Sequence, residues 1–128
     1  WFVFQPRSYA MVPFGHFHFH PDGNLYRDDF SLESLGWQGF FIHEMTHVWQ
    51  VQHHSPWYLL LRRHPFCRYS YCLKPGWSLN RYDVEQQAEI VRHAFMLRHG
   101  AQIAGVADKA AYDVLVKFPV ATKANETV

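Results

Sequence analysis

The chain has no apolar run long enough to cross a bilayer. The run Trp57-Tyr58-Leu59-Leu60-Leu61 is stopped by Arg62-Arg63, far short of the roughly 18–20 residues a spanning helix needs. It also lacks a block of like charge. Lys and Arg number 12 and Asp and Glu 11 in 128 residues, a formal net charge of +1. That balance excludes a nucleic-acid partner held by phosphate neutralisation, which needs a basic patch. No internal repeat and no linker-like stretch interrupts the sequence, so one domain spanning residues 1–128 is expected. No leader segment is visible, and the compartment stays open. Cysteine is scarce. Cys67 and Cys72 stand five apart, where a disulfide across a tight turn and a reduced pair are equally open.

What the chain has in quantity is apolar side chains (48%), aromatic rings (18%) and histidine, with 10 copies. This composition excludes a disordered or low-complexity chain. Phe14-Gly15-His16-Phe17-His18-Phe19-His20 alternates strictly, the period of a strand with two unlike faces. Pro21-Asp22-Gly23-Asn24 reads as a turn, and residues 25–30 as a return strand. Trp1-Phe2-Val3-Phe4 is a further short strand candidate. Residues 1–30 are thus expected to be strand-rich. Ser34 is a plausible N-cap for a helix over residues 35–52, with Phe41, Met45 and Val48 among its buried positions. Gly36 and Gly39 in its first turns would allow a later start. Pro56 opens a short helix candidate through Arg63, which Pro65 ends. Asn80 caps a helix expected over residues 81–99, closed by Arg98-His99-Gly100. Asp108 caps a last one over residues 109–118, before Pro119.

The chemistry concentrates in His43-Glu44-Met45-Thr46-His47. Four apart on a helix, His43 and His47 stack on one face, where both imidazoles can reach one ion. Glu44 projects from a neighbouring face toward the same cavity without ligating. There it can take the proton of a zinc-bound water as that water attacks a carbonyl. With histidine so abundant, the HExxH pattern arises by chance in roughly 3% of chains of this make-up. Its helical setting and a third ligand therefore carry the weight. Catalytic zinc takes three protein ligands and keeps one position open. His53 follows His47 by six, but no glycine turns the chain back. A carboxylate on the later helix is the better third ligand, and Glu85 and Glu89 stand four apart there. The opposite face of that helix (Val84, Ala88, Val91, Phe95) is apolar and can pack on the motif helix.

The pairing of Phe41-Ile42-His43-Glu44-Met45-Thr46-His47-Val48-Trp49-Gln50 with Glu85-Gln86-Gln87-Ala88-Glu89 resembles the gluzincin branch of the zincin metallopeptidases, over about residues 25–97. The local words look most like zincin-like toxin peptidases related to Vgr proteins of bacterial type VI secretion. The resemblance implies a zinc metallopeptidase of α+β fold, with a small, mostly antiparallel sheet packed on the HExxH helix, a second helix bearing a ligand, and a short helical end. It implies one Zn2+ on His43, His47 and Glu85, with Glu44 as base and Glu89 orienting a ligand histidine from behind. It implies a bacterial protein, secreted or delivered into a target cell as a toxin. The substrate would be a peptide or protein, or a peptidoglycan stem peptide, with a cognate immunity or secretion-apparatus protein as partner. Val84 stands where thermolysin, the familiar member of that branch, has asparagine. The spacer is longer, and a large C-terminal lobe is missing.

Other groups are weighed against plainer roles. His16, His18 and His20 could hold a second metal, but exposed rings opposite a Phe17/Phe19 core face are the favoured account. Tyr82, His93, Tyr26 and Tyr71 are candidate stabilisers of the transition-state oxyanion. Residues 57–77 form an aromatic loop read as core or lid. A catalytically silent binding module with structural zinc is the alternative function, and a histidine-rich metal buffer is a third.

Overall fold

The computed structural model of the chain describes residues 10, 12, 16–55, 57–62 and 69–117. The regular structure among them is helical: α1 (Leu35–His53), α2 (Tyr58–Arg62), α3 (Val84–Arg98) and α4 (Lys109–Leu115), with 3-10 turns at Phe30–Leu32 and Leu79–Arg81. No strand or sheet forms among the described residues, where His18 is an isolated bridge position. This corrects the expected α+β fold and its antiparallel sheet. The alternation of residues 16–20 has another use. Phe17 stacks on Phe19 at 5.7 Å between ring centroids and on Phe41 of α1 at 5.6 Å. Phe19 also meets Tyr26 and Phe30, and Phe30 lies 4.9 Å from Phe41. The segment thus buries its rings against the start of a helix, which requires one apolar face but no partner strand.

The turn after His20 does form, with the Gly23 amide donating to the His20 carbonyl at 2.9 Å. Residues 25–30 then fail to return as a strand. Arg27 donates to the carbonyls of Asn24 and Tyr26 and lies 4.0 Å over the Trp37 ring. Asp29 accepts from the Ser31 amide and caps the 3-10 turn at Phe30–Leu32. The strand candidate at residues 1–4 lies outside the described residues, as does Cys67. Cys72 carries a free, exposed thiol.

The helix starting after Ser34 runs one residue beyond its expected end, and Gly36 and Gly39 do not delay it. Gly39 has a packing reason instead. A Cβ there would come within 2.8 Å of Met96 Sδ and 3.3 Å of Arg92 Nε. Its bare Cα lets α1 approach α3 closely. The two helices run antiparallel, with Gly39 against Met96 at one end and Gln50 against Val84 at the other. The start of α3 falls at Val84, so Asn80 is not its cap. Tyr82 is extended and buried, which breaks the helical run, and Asp83 becomes the N-cap. Its amide donates to Gln86 Oε1 at 3.1 Å, as in a capping box. At the other end Gly100 adopts φ 86°. Ala101 then donates to the Met96 carbonyl and Gly100 to that of Leu97, the Schellman closure expected of a glycine stop.

The main apolar core is built on α3 and α4, with Ile42 of α1 packed against it. Tyr82, Ile90, Val91, Ala94, Tyr112 and Val116 form it, covered by Leu73, Trp77 and Leu97. Each such aliphatic side chain contributes about 1.5–3 kcal/mol by leaving water. Arg98 ties α4 to α3 by donating to Asp113 Oδ1 at 2.9 Å and the Val116 carbonyl at 2.7 Å. A smaller cluster of Val51, Tyr58, Leu59 and Val84 closes the other end. The face of α1 turned inward is of another kind. It buries His43, Glu44, Thr46, His47 and Gln50, while Met45, expected inside, is 38% exposed. A helix that hides its polar residues loses free energy unless each finds a partner.

Candidate metal centre

The partners stand on α3. Glu85, in its first turn, is 2% exposed. Its Oε2 lies 3.2 Å from His43 Nε2 and 3.2 Å from His47 Nε2. The i, i+4 spacing on α1 sets the two rings 5.0 Å apart between centroids, so both reach the same carboxylate oxygen. The three residues form a buried group whose ligand atoms all lie within 4.8 Å of one another. Donor atoms 2.0–2.1 Å from a tetrahedral ion are roughly 3.3 Å apart. The two 3.2 Å separations are compatible with a shared metal ion, and two imidazoles with one carboxylate is a zinc-type donor set. Among the described residues no second such group forms, so His16, His18 and His20 do not make one.

Electrostatics point the same way. Burial alone would push the His47 pKa down. The hydrogen bond and charge of Glu85, aided by Glu44 and Gln50, outweigh it and hold His47 above the ordinary histidine value. Glu44 is buried beside His43, and its charge reaches His47.

Each histidine of the group has a distinct backing. His47 Nδ1 lies 2.8 Å from Gln50 Oε1. Gln50 Nε2 donates to the Val84 carbonyl at 3.0 Å and to Gln87 Oε1 at 2.9 Å, and Gln87 Nε2 donates to the Tyr82 carbonyl at 2.8 Å. Behind His43 stands Glu89, with Oε1 3.6 Å from His43 Nδ1. That is ion-pair range and too long for a hydrogen bond, and the buried Nδ1 makes none. Glu89 also faces Arg92 Nη1 at 3.4 Å and His93 Nε2 at 3.7 Å. His93 Nδ1 is 2.5 Å from the Tyr71 hydroxyl, which is 2.6 Å from that of Tyr112.

A cleft of about 560 Å3 opens on this second side, lined in part by Tyr69, Tyr71, Glu89, Arg92 and His93. Tyr69 reaches from it to stack on the His43 ring at 5.8 Å. Burial, opposed by Glu89 and helped by Arg92 and His43, holds His93 below the ordinary histidine value. Burial and the bond to Tyr112 push the Tyr71 phenol well up.

Of the residues singled out in the sequence, the fold brings together His43, His47 and Glu85, with Glu89 behind His43 and His93 beyond it. Tyr82 is placed elsewhere: its hydroxyl accepts from the Lys74 amide at 2.9 Å, and its ring packs on Trp77. Tyr26 is exposed beside Phe19. Sequence reasoning missed Gln50, Gln87 and Tyr69. Only Gln50 left a signal, as a polar residue one turn after His47 on the same helix face.

A helical scaffold with a buried His-His-Glu group shared by two antiparallel helices defines a candidate metal-binding protein. No protein-family model matches the chain. It is 42% identical over 124 residues to the type VI secretion system spike protein VgrG2b of Pseudomonas aeruginosa, covering 90% of this chain and 12% of that protein. The solved effector domain of P. aeruginosa VgrG2b shares its fold with a TM-score of 0.65 and 38% identity, over 87% of this chain and 62% of that one. The chain thus spans a small part of the spike protein and under two thirds of the solved domain. These likenesses relate it to a type VI secretion effector domain.

Proposed function

We propose that the chain is the catalytic part of a bacterial effector, a zinc metallopeptidase of zincin type that hydrolyses a peptide or peptide-like amide bond. The observation that carries this reading is the approach of His43 Nε2 and His47 Nε2 to one Glu85 oxygen at 3.2 Å each, all three ligand atoms lying within 4.8 Å of one another, beside buried Glu44. His43, His47 and Glu85 would hold the zinc ion, which would supply Lewis acidity toward the scissile carbonyl and water. Glu44 takes the proton of the attacking water and hands it to the leaving amine. Glu89 steadies His43 from behind. His93, on the cleft, is the donor proposed to meet a developing oxyanion. The likeness to an effector domain supports delivery into a target cell. A protein or a peptidoglycan stem peptide is the proposed substrate, and a cognate immunity protein the proposed partner.

The test compares wild type, Glu44→Gln and Glu85→Ala by metal analysis and by cleavage of a broad peptide set. Glu44→Gln is expected to keep stoichiometric zinc and lose cleavage. Glu85→Ala is expected to lose both. A Glu44→Gln protein as active as wild type would refute the assignment of the base. A wild type that takes up no zinc would refute the whole reading.

A further inference from the structure

A neutral imidazole carries one N–H and one lone pair, so the partner of one nitrogen decides what the other presents. Around His47 that decision traces back to the main chain. The Tyr82 carbonyl can only accept, so Gln87 turns Nε2 toward it and leaves Oε1 facing Gln50. The Val84 carbonyl can only accept as well. Both contacts therefore fix Gln50 Nε2 as the donor and leave Gln50 Oε1 facing His47 Nδ1 at 2.8 Å. An amide oxygen only accepts, so His47 Nδ1 holds a proton, and Nε2, 3.2 Å from Glu85 Oε2, is the nitrogen left to give up its proton to an incoming cation. Gln50 and Gln87 are almost completely shut from solvent, at 0% and 1% exposure.

We propose that Gln50 is the positioning residue that commits His47 to the tautomer a metal requires, with Gln87 and the Val84 carbonyl fixing the direction of its amide. This rests on the metal-site reading above. Without the Gln50 oxygen, the His47 proton moves to Nε2 and donates to Glu85. The ligand set then closes on itself by a hydrogen bond that an incoming ion must break. The relay also joins both ligand helices, because Gln50 lies on α1 and its two acceptors on α3. It thereby sets register and tautomer together.

Two substitutions at one position separate these roles. Gln50→Met removes the acceptor. Gln50→Glu keeps an acceptor for the His47 N–H but gives up both donations to α3. The readouts are the apparent zinc Kd, by competition with a chromophoric chelator, and the Tm of each metal-free protein. Gln50→Met is expected to weaken zinc by about 10- to 100-fold, the usual effect of losing a histidine's outer partner. Gln50→Glu is expected to hold zinc nearly as tightly as wild type while its Tm falls. Affinities that simply follow the Tm values, or a Gln50→Met protein binding zinc as wild type does, would overturn the inference alone. A wild type that binds no zinc would overturn it together with the metal reading. The zinc-loaded wild type gives a further check, since 15N spectra should find a proton on His47 Nδ1 that exchanges slowly with water. A rapidly exchanging proton there would also overturn it.

Discussion

The two histidines of the candidate centre face the same carboxylate oxygen but are backed in opposite ways. Behind His47 the partners are neutral, short-bonded and closed to water, ending on the Val84 and Tyr82 carbonyls. Behind His43 they are ionisable, longer and open to the cleft: Glu89 at 3.6 Å, then Arg92 and His93. The difference teaches that one side is built to hold and the other to respond. A neutral relay fixes orientation without adding charge to a buried pocket. A carboxylate that also touches a cleft-lining histidine couples its ligand to whatever enters that cleft.

The most damaging way to break this comparison is to remove what both sides share. Glu85→Ala should weaken zinc by more than the about 10- to 100-fold range of an outer partner, because it deletes a ligand. Equilibrium dialysis against zinc reads this directly. Next comes the contrast between the sides. Glu89→Gln should cost less zinc affinity than Gln50→Met, under about tenfold, because Glu89 makes no hydrogen bond to His43. Chelator competition on the two variants side by side would reverse the assignment of the holding side if Glu89→Gln proved the weaker binder. Gly39→Leu should lower stability by about 1–3 kcal/mol through overpacking against Met96 and Arg92, with zinc affinity reduced on both sides alike. Urea unfolding with and without zinc measures it.

The smallest effect is one of pH. The His93 pKa in the folded chain lies below its ordinary value of 6.5. In the window between the lowered value and 6.5, the unfolded chain binds more protons, so stability falls as pH falls and is fully present above that window. His93→Gln should flatten that part of the Tm-against-pH curve. Glu89→Gln, which leaves His93 in place, should keep the slope or steepen it.

The helices were largely legible because their signals are local. Ser34 and the apolar spacing placed the start of α1, and Gly100 placed the end of α3. The start of α3 was misplaced by three residues because Tyr82 turns inward, a tertiary demand that no cap pattern announces. The sheet was misread for a related reason. Alternation reports that Phe17 and Phe19 share a face, but a stacked aromatic helix end satisfies that face as well as a strand does. The grouping of His43, His47 and Glu85 could be anticipated from two i, i+4 pairs on two helices. Gln50 and Gln87 could not, since a glutamine in sequence looks the same whether it meets solvent or ends a buried relay.

The candidate ligands on α1 and α3 are separated by 42 and 38 positions along the chain. Holding them on one centre turns that stretch of polypeptide into a ring. Its closure removes freedom from the unfolded ensemble as a disulfide would, by about 4 kcal/mol for a loop of this size. The walls of the cleft at Tyr69 and Tyr71 hang inside that ring. Loading the centre would therefore narrow the excursions of the segment that meets a ligand in the cleft. Such a staple is indifferent to oxidants and reductants and answers instead to chelators.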